Sequence, residues 1–269
     1  MKQVTFIALL FFSVPGSAQE LFSATEPASN RAARSISFRV DNSIMDELNS
    51  PKTNYHLIPE IMIGVSKKLM ISGNIFLSNR SERLRYEGGS IYAKYRFYSN
   101  DAMQRHFRMA VFGRLSFNNS DIHQEEINMN GHNTGFETGV VATKLLKKVA
   151  LSTSVSFVKA ADNARGNKFL YGAENDAAIN SSFSLGKLML PGEYKNFRQT
   201  NLNLMLEFLS QVNTGSGKYY FDIAPTMQLI FNSQSRIDIG YRKDLKSSLL
   251  RTAPKGFFIR IEHSLFNAF

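Results

Sequence analysis

Between Tyr219 and Phe231 the residues of an apolar face alternate with those of a mostly polar one. Tyr219, Phe221, Ile223, Pro225, Met227, Leu229 and Phe231 make one face, apolar and ended by aromatics. Tyr220, Asp222, Ala224, Thr226, Gln228 and Ile230 make the other, mostly polar. A period of two puts successive side chains on opposite faces of a strand. The length of the run is the stronger constraint. Strands of soluble proteins usually hold about five or six residues, whereas a tilted strand needs about 9–11 to cross a bilayer. The pattern recurs: Leu202, Leu204, Leu206 and Phe208 alternate with Asn201, Asn203, Met205 and Glu207, and Ile91, Ala93, Tyr95 and Phe97 with Ser90, Tyr92, Lys94 and Arg96.

Reading these runs along the chain predicts strands near 35–42, 55–66, 69–78, 87–98, 106–118, 134–146, 149–159, 177–190, 199–213, 218–232, 235–245 and 256–269. The expected fold is all-β: a transmembrane antiparallel up-and-down β-barrel of about 12 strands over 35–269, an even number as single-chain bacterial barrels use. Connection lengths agree in part. Short links fall at 66–68, 147–148 and 232–235, longer polar ones at 43–54, 119–133, 160–176 and 246–255. Short periplasmic turns and longer outer loops are the rule for such barrels. The links at 98–105 and 191–198 look too long for that scheme, and 214–217 too short. A soluble sandwich would also alternate, but with shorter strands. Pro59 and Pro225 lie within predicted strands. Since proline donates no ladder bond, a bulge or strand end is expected at each.

The first 18 residues differ from everything after them. Lys2 precedes an apolar run from Val4 to Val14, and small residues, Ser17 and Ala18, stand before Gln19. This is the layout of a cleaved secretory signal peptide, cut near Ala18, and the run is too short for a spanning helix. Residues 19–34 read as a flexible polar lead-in. The absence of Cys removes disulfides, thiolate metal sites and a cysteine nucleophile. A net charge of +10 could suit nucleic acid, but the basic residues are scattered, no recognition motif is present, and the leader directs the chain elsewhere.

Several segments resemble the outer-membrane β-barrel or putative transporter proteins of Bacteroidota. They are His106-Phe107-Arg108-Met109-Ala110, Leu190-Pro191-Gly192-Glu193-Tyr194-Lys195 followed by Gln199-Thr200-Asn201-Leu202-Asn203, and Ile223-Ala224-Pro225 with Phe231-Asn232 and Gly240-Tyr241-Arg242. The resemblance implies a barrel of about 12 strands in the bacterial outer membrane and transfers no catalytic or ligand-binding residue.

If the apolar faces meet lipid, parity sends the charged residues inward, because a charge facing lipid at mid-depth costs about 2–4 kcal/mol. The lumen-facing candidates are Arg39, Glu60, Lys94, Arg96, Arg108, Arg114, Glu207, Asp222, Arg236, Asp238, Arg242, Arg260 and Glu262, with Asp41 and Lys144 beside them. They could fill and stiffen a narrow lumen, or line a pore whose basic excess favours anions. Closure of the first strand on the last would bring Arg39 and Asp41 near Arg260 and Glu262.

Catalysis draws little support. His263 and Ser264 are neighbours on one strand and so face opposite ways. His123 and His132 share a loop with Asp121, Glu125 and Glu126, without the spacing of a zinc site. No metal, cofactor or enzymatic activity is expected. Phe169-Leu170-Tyr171 suggests an aromatic girdle, and Phe269, ending an alternating strand, resembles the assembly signal of outer-membrane proteins. The expected partners are therefore outer-membrane lipid, the barrel-assembly machinery and other outer-membrane proteins. The expected function is a porin-like channel for passive passage of small or anionic solutes; the alternative is a closed structural or partner-binding barrel.

Overall fold

The structure, a computed structural model, describes residues 22–47, 53–79, 83–102, 105–163, 175–192 and 199–269. The leader expected over 1–18 and the Phe169-Leu170-Tyr171 cluster lie outside these residues. Twelve strands follow in chain order: β1 (Ser35–Asp46), β2 (Thr53–Gly64), β3 (Leu69–Ser78), β4 (Arg85–Ala102), β5 (Arg105–Asn118), β6 (Thr134–Leu146), β7 (Val149–Ala161), β8 (Ala177–Leu190), β9 (Asn201–Asn213), β10 (Tyr219–Phe231), β11 (Ser235–Ser247) and β12 (Lys255–Leu265). Each pairs antiparallel with its neighbours in sequence, and β1 pairs with β12, so the sheet closes into an up-and-down barrel.

Exposure follows the alternation. On β4, Ile91 is 64% exposed and Tyr92 is 4% exposed. Ile61, Leu115, Val155, Phe183 and Ile261 point outward, while Glu60, Ser116, Ser156, Ser184 and Glu262 are buried. An apolar outside around a polar inside inverts the arrangement of a water-soluble protein and suits hydrocarbon surroundings. Lys144 departs from the expected assignment. It is exposed on the outward face, two positions from the end of β6, because Val140-Val141 breaks the alternation there and the inward residues are Val141 and Thr143. At a strand end a lipid-facing charge costs only about 0–1 kcal/mol.

The links 65–68, 147–148 and 232–234 join strands at the end where β1 begins and β12 finishes; 119–133 and 248–254 belong to the opposite end. The link expected at 98–105 is mostly strand, since β4 and β5 extend to Ala102 and Arg105. The turn after β10 has positive φ at both Asn232 (52°) and Ser233 (56°), closed by Gln234 N–H donating to Phe231 O at 3.0 Å. Two such residues make the mirror-type turn whose twist matches a hairpin.

The prolines create neither a bulge nor a strand end. The β2–β3 ladder skips Ile58 and Pro59 and resumes unshifted at Glu60–Asn74, while Pro59 keeps its place opposite Val40 of β1. The β10–β11 ladder likewise skips Ala224 and Pro225, and its one register shift lies earlier, between Phe221 and Asp222. A barrel tolerates one missing donor when the strand is held on its other side. Gly88 does sit at a bulge, where β3 and β4 change register between Phe76 and Leu77. Its φ is 150°, and a Cβ there would lie 2.0 Å from Phe117 O. β12 ends at Leu265, so Phe269 lies four residues beyond the strand instead of on it; Ala268 N–H donates to Arg34 O at 2.8 Å.

Candidate functional site

The barrel interior is occupied from both ends. The described part of the polar lead-in, residues 22–34, is not a free tail. It enters the lumen and is bonded to strands all round it. Glu207 on β9 is fully buried and accepts from Ser23 N–H (2.9 Å), Ala24 N–H (2.8 Å) and Thr25 N–H (3.0 Å), and from the Ser23 and Thr25 hydroxyls at 2.9 Å each. Ala28 N–H donates to Thr143 Oγ1 at 2.9 Å. Lys94 Nζ donates to the carbonyls of Pro27 (2.6 Å) and Ser29 (2.8 Å). Arg31 donates to Glu262 at 2.6 Å, and Arg108 to the Ser29 hydroxyl. A segment with no apolar period thus satisfies its backbone on side chains of the wall. Gly64 admits it: a Cβ there would lie 1.9 Å from Ala32 O.

At the opposite end, loop 119–133 folds inward. Ile127 and Met129 pack on Val158, Ala160 and Ala178 of β7 and β8. Gln211 on β9 bonds both the N–H (2.9 Å) and the carbonyl (2.8 Å) of Ile127. Arg251, from the link after β11, also turns in and joins Glu126 (2.6 Å) to Asp222 (2.7 and 2.8 Å). Glu125 accepts from Lys218 Nζ (2.5 Å) and Leu250 N–H (2.8 Å). Burial works to raise its pKa, but these two donors hold the carboxyl below the usual carboxylate range.

Ion pairs fill the wall formed by β10–β12, β1 and β2. In the closing register Arg39 stands opposite Glu262 and Asp41 opposite Arg260. Arg260 bonds Asp41 with both nitrogens, one at 3.1 Å. Arg39 reaches instead to Glu60 (2.8 Å) and to Glu26 of the inserted segment (2.7 Å). Arg236 joins Glu262 (3.0 Å) and Asp238 (3.4 Å), and Arg242 joins Asp222 (2.6 Å) and Glu126 (3.4 Å). Arg96 is at the rim, donating to Lys67 O at 2.7 Å, and Arg108 bonds Asp101 at 3.0 Å. Arg114 bonds Asn130 of the inward loop (3.1 Å) and Ser90 (3.2 Å), and its guanidinium lies 5.0 Å from the Tyr92 ring centre.

The wall formed by β7 and β8 is different. Its inward residues are short: Ser152, Ser154 and Ser156 on β7, and Ala178, Asn180, Ser182 and Ser184 on β8. They bond one another across strands, Thr143 with Ser152 at 2.9 Å and Ser154 with Ser182 at 2.6 Å. Space remains where these side chains stop. A chamber of about 370 Å³ lies between the inserted segment and the inward loop, bordered by Glu26, Tyr92, Arg114, Asn130, Ser182 and Arg242 among others.

Sequence parity did not reveal Glu26, Arg31 or Arg251 as interior residues, since they lie outside the strands and none of their links is local; Gln211 shares the inward parity of Glu207 but carries no charge to mark it. The one available signal is Ile122, Ile127 and Met129 in an otherwise polar loop; all three are buried.

Ser235 Oγ and His263 Nδ1 lie 2.9 Å apart on the outward face, a contact that adjacent-residue reasoning does not find. A nucleophilic serine also needs a group to orient the base and donors for an oxyanion. Among the described residues, no carboxylate holds the other nitrogen of His263, and no cluster of three or more His, Asp or Glu residues could hold a metal ion.

No protein-family profile matches the chain, and no curated protein matches it in sequence. Among solved structures it is similar to an outer-membrane channel from Pseudomonas putida F1, with 13% identity, a TM-score of 0.54, and coverage of 89% of this chain and 98% of that one. Matches to OmpF of Salmonella typhi (8% identity, TM-score 0.38, coverage 86% and 96%) and to a loop-deletion form of OmpT from Vibrio cholerae (10% identity, TM-score 0.35, coverage 86% and 98%) are too distant in shape to carry an argument. The likeness is one of fold, and that fold is the outer-membrane β-barrel.

Proposed function

We propose that this protein is an outer-membrane channel for the passive passage of small solutes, constricted from one end by residues 22–34 and from the other by loop 119–133. The observation that supports this most is the polar chamber held between the two inserted segments inside a closed barrel. A barrel meant only as a structural post has no need for such a space. Anionic solutes, the sharper expectation, gain nothing from the lining, where Arg114, Arg242 and Arg260 are matched by Glu26, Asp41, Glu126 and Glu137.

Under this reading the leader over 1–18 exports the chain to the bacterial outer membrane, and the apolar belt meets lipid. The barrel-assembly machinery reads β12 with Phe269, other outer-membrane proteins can dock on the loops, and the protein is not an enzyme. The likeness to Bacteroidota transporter barrels rests on the segments quoted above. Planar-bilayer recording tests the function. Discrete conductance steps are expected, larger in Glu207→Gln, which removes charge from the group that caps the inserted segment. A silent bilayer from both proteins refutes the channel and favours a closed, partner-binding barrel.

A further inference from the structure

We infer that the chamber is a binding and transit site for a small uncharged polyol, of the size and chemistry of a sugar. The inference rests on the channel reading and adds the class of solute.

The first observation is the state of the charges. Arg242 is tied to Asp222 and Glu126, Arg260 to Asp41, and Arg114 to Asn130 and Ser90, with Glu137 3.7 Å away. An ion entering here would give up hydration for charges that are already spoken for, which is costly. A neutral polyol gives up only water hydrogen bonds, and the wall can return those.

The second observation is what the wall offers. Ser154 and Ser182 share one bond of 2.6 Å, which leaves one hydroxyl hydrogen and several lone pairs for a third group. Ser156 donates to Glu137 at 2.7 Å and keeps its lone pairs, and Asn180 lies in the same row. Side chains that both donate and accept at close spacing match vicinal hydroxyls, which do the same.

The third is independent of the serine row. Tyr92 borders the chamber from β4, is 4% exposed, and its hydroxyl has no hydrogen-bond partner among the described residues. A buried phenol without a partner is costly, so it stands ready for a ligand hydroxyl. The chamber's 370 Å³ falls at the lower end of ligand sites, which run roughly 300–1,000 Å³.

The test is swelling of proteoliposomes in glucose, gluconate and glucosamine, which share size and differ in charge. Glucose should enter several-fold faster than either ion. Ser182→Phe, which fills the chamber, should slow it, and so should Tyr92→Phe, which deletes one hydroxyl and leaves the barrel intact by heat-modifiable mobility. Gluconate or glucosamine entering as fast as glucose overturns the inference and leaves the channel standing. Unchanged glucose entry in both variants also overturns it. If no solute enters and bilayers are silent, the channel reading fails, and calorimetry of the detergent-solubilised protein with glucose decides the rest. Saturable heat that is lost in Tyr92→Phe supports a closed sugar-binding barrel; absence of heat overturns the site.

Discussion

The two walls of this barrel are built on one backbone plan and do opposite things. Around β10–β12, β1 and β2 the inward positions carry Arg, Asp and Glu, long enough to pair with the neighbouring strand and also to hold the segment and loop that enter the lumen. Around β7 and β8 the same positions carry Ser, Ala and Asn, which reach only the neighbouring strand. Both walls obey the same alternation and both satisfy their polar groups. The difference shows that strand number sets only the outer limit of a lumen. The bore is set by side-chain length at the inward parity and by what is folded into it.

Substitutions can push each wall toward the other. The largest effect is expected for Asp222→Ala. Asp222 is fully buried and holds both Arg242 and Arg251, so its loss leaves two buried cations to share Glu126, at a cost of about 3–5 kcal/mol. Urea unfolding in detergent should show it as a lowered midpoint. Next comes Arg39→Ala with Arg260→Ala, which removes the partners of Glu60 and Asp41 at and beside the seam; the two losses together are worth about 1.5–3 kcal/mol, and the heat-unfolding temperature should drop. An unchanged temperature would mean that the seam is held by its backbone ladder alone. On the other wall, Ser154→Ala with Ser182→Ala removes both ends of one neutral bond and should cost only about 1 kcal/mol or less in the same urea experiment. If it cost as much as Asp222→Ala, the contrast between the walls would be false.

The smallest effect is a pH dependence. Glu125 has a depressed pKa in the folded state, so the stability its ties provide is present above the ordinary carboxylate range and is lost as pH falls through the depressed value. Loop 119–133 should become more readily cleaved by pepsin on acidification below about pH 4. Glu125→Gln should be cleaved alike across that range.

The barrel was legible because its information is periodic and local. Tyr219–Phe231 declares its two faces by itself, and the joining of Asp41 to Arg260 follows once first and last strands are paired. The inserted segment was not legible. Ser23 finds its acceptor 184 positions away in Glu207, and nothing near Ser23 in the chain announces it. Loop 119–133 gave a partial sign through Ile127 and Met129, which an outer loop would not need. The chamber was hidden for a further reason: it is defined by what Ser154 and Ser182 lack in length, not by any group they carry. The two prolines misled because one lost ladder bond does not force a strand to bulge or stop while its other side stays paired.

The seam also sets a chronology. β1, the first strand to leave the ribosome, must pair with β12, the last, and Arg31 beside it waits for Glu262. Glu207, which holds Ser23, lies within β9. Early residues are therefore fastened in part by late ones, and closing so long a loop is slow. A chain cut short before β12 would lose its seam and the Glu262 anchor of its inserted segment in one stroke. An incomplete copy would then present an open strand edge and an unsecured N-terminal segment together, a form readily distinguished from the finished barrel by a quality-control protease.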